Sequence, residues 1–498
     1  LGRFDLPGTF TVKEDFVMLV LWIVLSVIAA IVFIVTIKTL AFKLPQESVQ
    51  PMEIPGGMAC AEKLAEAIRI PTVSYIDTAK TDWAAFEGFH ALLQKQFPLF
   101  HAKCEKAVIS GYSLVYCWPG ADKSAKKPAL ITAHMDVVPV EAGTEKDWKH
   151  DPFGGELADG CIWGRGTLDV KIHLIASLEA AEKLIQEGYT PPRDVYFAFG
   201  HDEETGGKEG AVFIADYFKD QGIAFDFVLD EGSCVVQGAL TGVSEPLALI
   251  GVGEKGYADI RIQVCGEGGH SSMPPRHTSL GLLAKALCLL ENKKRKAKLI
   301  APVREFLQII GPAMGLVNRI ILANLWIFQP LFIAVFGGTK TGNALLSTTT
   351  AVTMAKGSPA PNVIPQNSEA VVNFRILPGE TGEELLQSII KTCKGIPLEL
   401  TPINLDEPSI VSPTDTEGYR IIRSVTKKIY PDAIIAPYVL LASSDARKYE
   451  SVCKNIYRFT PFYIQNDEVS AMHGTNENIS VENINRCVAF FTELFRLI

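Results

Sequence analysis

The longest apolar run in the chain, Phe16 to Ile37, carries no charged side chain. Its 22 residues are enough to cross a hydrocarbon layer of roughly 30 Å at about 1.5 Å of rise per residue. A signal peptide has a shorter apolar stretch, and a surface-packed helix keeps a polar face. A single membrane-spanning helix is therefore expected over 16–37, within an N-terminal segment of residues 1–44. Arg3 and Lys13 precede the run and Lys38 and Lys43 follow it, so charge assigns it no orientation. The chain opens on Leu1 rather than Met, so its natural start is expected upstream.

Beyond a proline-marked linker (Pro45, Pro51, Pro55) the periodicity changes. Helical spacing predicts helices over 59–68 and 83–97. Runs of β-branched and aromatic residues predict strands over 112–118, 129–133, 194–199 and 225–229, with a long helix over 170–186 between the second and third. Strands alternating with helices make an α/β sheet covered on both faces, with functional residues at strand ends. From about Ile250 the texture shifts to strand 258–264, helix 279–290, strands 348–354 and 370–376, helix 382–393 and a short strand 397–400. This β-α-β-β-α-β order predicts a ferredoxin-like α+β domain inserted at 251–404. It divides an α/β domain into residues 45–250 and 405–498. Within the insert, Phe306 to Gly338 is unusually apolar, but Asn318, Arg319, Asn324 and two prolines interrupt it, which argues against a second span. Two readings stand: an insertion packed on its own domain, or a surface that meets a bilayer or an acyl chain. The neighbouring Lys293-Lys294-Arg295-Lys296 is either a solvated helix end or a contact to anionic lipid.

A net charge of −9 and a pI near 5.6 argue against a nucleic-acid partner. The 10 cysteines form neither a CxxC pair nor a dense framework, so any metal must be held by His, Asp and Glu. One Asn-x-Ser sequon, at Asn478, fits a secretory route.

Six places carry such side chains. Gly200-His201-Asp202-Glu203-Glu204 follows a buried strand, and adjacent carboxylates there repel unless a cation intervenes. At a strand-to-loop turn both can face one cleft, one as a ligand and one moving protons; the alternative is a solvated acidic loop. His134-Met135-Asp136 suits a ligand imidazole oriented by a carboxylate. Asp169 stands just before a helix, as a cap or as a bridge between ions. His270 lies in a Gly-rich turn and His473 near the C-terminus, and another strand ends at Asp230-Glu231.

The motifs AHMDVVP, GRGTLD, GHDEETGG, LDEG, GGHSS and HGTNE occur in this order. Together they resemble the zinc aminoacylase and carboxypeptidase S family of metallopeptidases, over roughly residues 55–498. The phrases NLWIFQPL, TGNALLSTTTAVT, NVIPQNSEAVVNFRILPG and YRFTPFYIQ are most similar to its branch acting on N-fatty-acyl amino acids. The resemblance implies a di-zinc, aminopeptidase-like catalytic domain with the insert as lid and dimerisation domain. It implies His134, Asp169, Glu204, Asp230 and His473 as zinc ligands, with Asp169 bridging and Glu231 as the alternative to Asp230. Asp136 would orient His134. Glu203 would be general base and acid, and His270 would stabilise the oxyanion, within a homodimer from the partner copy. Two zinc ions would acidify a shared water and polarise the amide carbonyl. Arg375 and Asn343 are candidates for holding a substrate carboxylate; an ordinary strand arginine in an ion pair is the alternative for the first. Val170 departs from the Asp or Met common after the bridging acid but leaves the ligand intact.

The expected activity is zinc-dependent hydrolysis, and in reverse synthesis, of N-fatty-acyl amino acids. The alternative is a carboxypeptidase or dipeptidase of the carboxypeptidase S type. A catalytically dead tethered protein is disfavoured because no expected ligand is missing. The span sets the chain beside tethered members of the family, single-pass, with the catalytic domain outside the cell or in a lumen.

Overall fold

Buried strands of the computed structural model assemble into a mixed ten-stranded sheet; the structure describes residues 11–45, 47, 49–122 and 126–498. Arg3, and the side chain of Lys13, lie outside the described residues. At the centre of the sheet Ala129–His134 runs parallel to both Val195–Gly200 and Phe227–Asp230, and Ile456–Arg458 runs parallel to the latter. Strands 105–109 and 113–118 close one edge in antiparallel fashion. His134 lies opposite Gly200 and Leu229 opposite Ile131. The loops carrying Asp136, Glu203 and Glu231 therefore leave the sheet at one edge, the carboxyl ends of parallel strands, where α/β sheets place their sites. Both faces are covered. Helices Lys171–Gln186 and Val481–Leu497 pack on one, and Ala211–Asp220 on the other. That two-sided burial explains why these strands read as continuous apolar runs.

The second sheet has four antiparallel strands in the spatial order 349–356, 367–376, 256–265, 399–406. Helices Ser279–Glu291 and Gly382–Thr392 share an apolar core with it, in β-α-β-β-α-β order along the chain. Two boundaries differ from the sequence reading. Leu247–Glu254 belongs to the large sheet to its last residue, so the change of sheet falls at Lys255 rather than after 250. The last strand spans Glu399–Asp406 rather than 397–400, past the expected limit at 404. Pro402 obscures it in the sequence, yet an edge strand tolerates a missing N–H.

The apolar insertion does not pack on its own small sheet. Helix Ala301–Ile310 buries Val303, Phe306, Leu307 and Ile310 against Leu247, Ile434, Ala436 and Val439 of the large sheet. Helices Leu316–Ala323 and Leu325–Phe336 follow and touch the end of the N-terminal helix, Thr11–Ala41. Of the basic run, Lys293 turns inward to Ser388 and Thr392, and the Arg295 guanidinium lies 5.3 Å from the Phe374 ring. Lys294 and Lys296 remain exposed.

Candidate active site

At the carboxyl edge of the large sheet the structure gathers His134, Asp169, Glu231, Glu204 and His473. Asp169 stands in the middle: one carboxylate oxygen is 3.1 Å from His134 Nε2 and the other 3.0 Å from His473 Nε2. His473 Nε2 is also 3.1 Å from a Glu204 oxygen. Two groups of donor atoms result, His134–Asp169–Glu231 and Asp169–Glu204–His473, each within 4.8 Å and sharing Asp169. An acid offering one oxygen to each side is the arrangement of a bridging ligand.

Glu231, not Asp230, joins this cluster. Successive side chains at a strand end point to opposite sides. Asp230, the last residue of its strand, is 1 % exposed within the sheet, whereas Glu231 lines the cleft.

Electrostatics reveal an unfinished site. Burial, with repulsion from Asp445, Glu204 and Glu231, holds the Glu203 carboxyl well above its ordinary range despite the opposing pull of His134. Burial and Asp169 raise Glu204, and burial with Asp169 and Asp230 raises Glu231. Bonds to Asp169 and then Glu204 lift His473 to about 10. Burial opposes a charge on His134, but its bonds to Asp136 and Asp169 raise it well above the usual imidazole value. Among the described residues Glu204 Oε1 is buried without a hydrogen-bond partner. Imidazole and carboxylate donors, excess negative charge and an orphaned buried oxygen all fit a bound metal cation.

Around this cluster the chain builds a rigid frame. Asp136 accepts from the backbone N–H groups of Glu203 and Glu204 and from Ser74 Oγ at 2.6 Å. His134 Nδ1 lies 2.9 Å from the Asp136 carbonyl oxygen and 3.4 Å from its carboxylate. Asp136 thus orients both the imidazole and the paired glutamates. Two further acids were not singled out from the sequence. Glu477 is fully buried, pairs with Arg165 at 2.7 Å and accepts from the N–H groups of Gly166, Leu168 and Asp169. Arg165 in turn donates to the carbonyls of His473 and Gly474. The pair ties the Asp169 loop to the His473 loop, where His473 and Asn476 hold left-handed φ values of 59° and 63°. Its one sequence signal is its place in HGTNE. Asp445 lies beneath the paired glutamates: a Cβ on Gly207, where φ is +65°, would sit 2.0 Å from its carboxylate. Nothing in the local sequence marks it.

Three expected residues stand apart. His270 is exposed on a two-stranded antiparallel sheet formed by residues 269–270 and 363–364, with Nδ1 2.8 Å from Ser272 Oγ, and does not line the cleft. Asn343 is exposed in helix Lys340–Leu346 and also lies off it. Arg375 is half-buried, 4.6 Å from the Tyr257 ring, and donates to the Leu441 carbonyl beside the cleft wall at Ala442. The cleft itself, about 320 Å³, is lined by Asp169, Glu203, Glu204, Glu231 and His473. Apolar walls of Val236, Leu249, Phe462, Ile464, Val469 and Met472 make up the rest.

The chain is similar to several known proteins. The chain is 38% identical over 437 residues to "N-fatty-acyl-amino acid synthase/hydrolase PM20D1.1" of Danio rerio, covering 86% of this chain and 84% of that protein. It is 37% identical over 441 residues to "Probable carboxypeptidase S-like 2" of Dictyostelium discoideum, covering 88% and 84%. The fold matches the M20 family metallo-carboxypeptidase Sso-CP2 from Sulfolobus solfataricus with a TM-score of 0.65 at 19% identity, over 88% of this chain and 98% of that one. Residues 130–497 match the model of Peptidase family M20/M25/M40, and the chain belongs to that family.

Proposed function

We propose that the protein is a zinc-dependent amidohydrolase that cleaves N-fatty-acyl amino acids and, when fatty acid and amino acid are abundant, forms them. The observation that carries this reading is the cleft, in which Asp169, Glu203, Glu204, Glu231 and His473 share one cavity with the apolar side chains of Val236, Leu249, Phe462, Ile464, Val469 and Met472. The name of the Danio rerio relative supports it.

His134, Asp169 and Glu231 would hold one zinc ion and Asp169, Glu204 and His473 a second. When bound, these ions supply Lewis acidity to the amide carbonyl and acidify water. Glu203 is the group for proton transfer. Its carboxyl, raised by burial and by repulsion from the neighbouring acids, takes a proton from the attacking water and returns it to the leaving nitrogen. Asp136 keeps the backbone of Glu203 and Glu204 in register with His134. The apolar wall takes the acyl chain and excludes water. Arg375, braced on Tyr257 at the cleft edge, would pair with the amino-acid carboxylate. His270 would act only across a homodimer, reaching the cleft of a second copy. The N-terminal helix would anchor the enzyme as a single-pass protein with its catalytic body lumenal or extracellular.

The test is hydrolysis of a long-chain N-acyl amino acid by detergent-purified protein beside Glu203→Gln. The expected result is a rate lower by about 10²–10⁴-fold in the variant, with wild-type activity abolished by a chelator. The carboxypeptidase S-like relative supports a second reading. Preference for a blocked dipeptide over the acyl amino acid would establish that reading and refute the first.

A further inference from the structure

Helices Leu316–Ala323 and Leu325–Phe336 present an exposed apolar surface beside the N-terminal helix. No charged side chain occurs between Arg319 and Lys340. The second helix carries a single polar side chain, Gln329, and Arg304 Nη2 donates to it at 2.6 Å, turning that amide back toward the protein. What faces outward is Leu316, Val317, Trp326, Leu331 and Val335, each 52–70 % exposed. A helix apolar on all sides belongs in a core or a bilayer, and a contiguous exposed apolar patch marks an interaction surface. The face beneath is only partly packed, leaving a cavity of about 470 Å³ lined by Leu307, Met314, Leu322, Phe332 and Phe336.

Its position identifies the occupant. Asn324, between the two helices and 0 % exposed, donates to the Val35 carbonyl and to Thr39 Oγ1 of the N-terminal helix. Arg319 donates to the Thr39 carbonyl, and Phe42 packs on Gly311, where a Cβ would sit 2.7 Å from its ring. Val35 is two residues, about 3 Å of helix rise, inside the end of the uncharged stretch that closes at Ile37. The start of the second helix is thus level with the edge of the hydrocarbon layer that the stretch would cross. Trp326 lies beside Lys38, whose ammonium is 5.5 Å from its ring. An aromatic ring next to a lysine able to reach the headgroups is the chemistry of a membrane–water interface.

We propose that these two helices form a second membrane contact, lying in the leaflet that the N-terminal helix leaves, with lipid acyl chains covering their outer face. The catalytic body is then held against the bilayer by two elements, as an interfacial amphipathic segment holds a peripheral enzyme. The inference rests on the N-terminal helix being embedded and is independent of the substrate reading.

Fluorescence quenching of the full-length protein in phosphatidylcholine vesicles, with bromines placed near the headgroups or near the chain ends, tests it. Trp22→Phe removes the tryptophan of the span and leaves Trp326; Trp326→Phe does the reverse; the double variant gives the background. The expected result is quenching of Trp326 above background, strongest with shallow bromines, and loss of that signal in Trp22→Phe carrying Leu331→Glu and Val335→Glu. Both glutamates replace exposed side chains, so the melting temperature in detergent should not change. Quenching of Trp22 with Trp326 at background would overturn the proposal while leaving the span intact. So would lipid-independent shielding of Trp326 by a second copy. Neither residue quenched would remove the embedded helix on which the inference stands.

Discussion

Two buried acid clusters lie side by side at the junction of the sheets, and their chemistry is opposite. Glu254, the last residue of its strand, accepts from Arg458 Nε at 2.7 Å, from Arg447 Nε and Nη2 at 3.0 and 2.6 Å, and from Ser444 Oγ at 2.6 Å. Burial alone would raise this carboxyl, but Arg458, Arg447 and Ser444 outweigh it and hold it near 2. The neighbouring cluster sets Asp169, Glu203, Glu204 and Glu231 against His134 and His473, and its glutamates are pushed upward instead. One cluster carries its own cations and is a structural joint. The other has two imidazoles against four acids, and that deficit is what a metal corrects. Burial and acidity are common to both, so neither identifies a site; the balance of charge does.

The largest effect that separates them is expected from Glu254→Gln. It leaves two buried guanidinium groups without their anion and should cost about 3–5 kcal/mol, measured by urea unfolding of metal-free protein. A loss below about 1 kcal/mol would mean the joint is not what holds the sheets. The same cluster sets an acid dependence. Glu254 has a folded-state value near 2 against an ordinary 4.5. Its stabilisation, about 3 kcal/mol, is complete above pH 4.5 and drains away as pH falls through 2. Stability followed against pH should show this fall in wild type and a shallower one in Glu254→Gln. At the other cluster the metal takes the place of the arginines. Zinc at about 100 times its dissociation constant should stabilise chelated protein by about 2.7 kcal/mol, and an unchanged melting curve would contradict the metal reading. The smallest effect has the reverse sign. Glu231→Gln should stabilise the metal-free protein by on the order of 1 kcal/mol by relieving repulsion, while abolishing the gain from zinc; destabilisation without metal would mean Glu231 is a structural acid like Glu254.

Much of this architecture was legible in the chain. The helix over 59–68 and the strands ending at His134 and Gly200 follow from periodicity, because each element is buried in the way its pattern implies. The order of the small domain could be read from alternation, but its last strand was cut short by Pro402, which breaks propensity without breaking an edge. His134, Asp169, Glu204 and His473 were visible because each lies in one of the ordered motifs that carry the family resemblance. Glu477 and Asp445 were not, since a buried acid looks like a solvated one until the fold brings up its surroundings, Arg165 against the first and the Gly207 backbone against the second, far away in sequence.

The sequence by itself determined which segments are apolar, where strands end and which residue types stand at those ends, because hydrophobic period and turn chemistry are local. Only the tertiary structure decided that Glu231 rather than Asp230 faces the cleft, that Asp169 stands between two histidines, and that the apolar insertion lies against the large sheet and the N-terminal helix. Those outcomes depend on side-chain direction and on contacts between residues hundreds of positions apart, which no local pattern encodes.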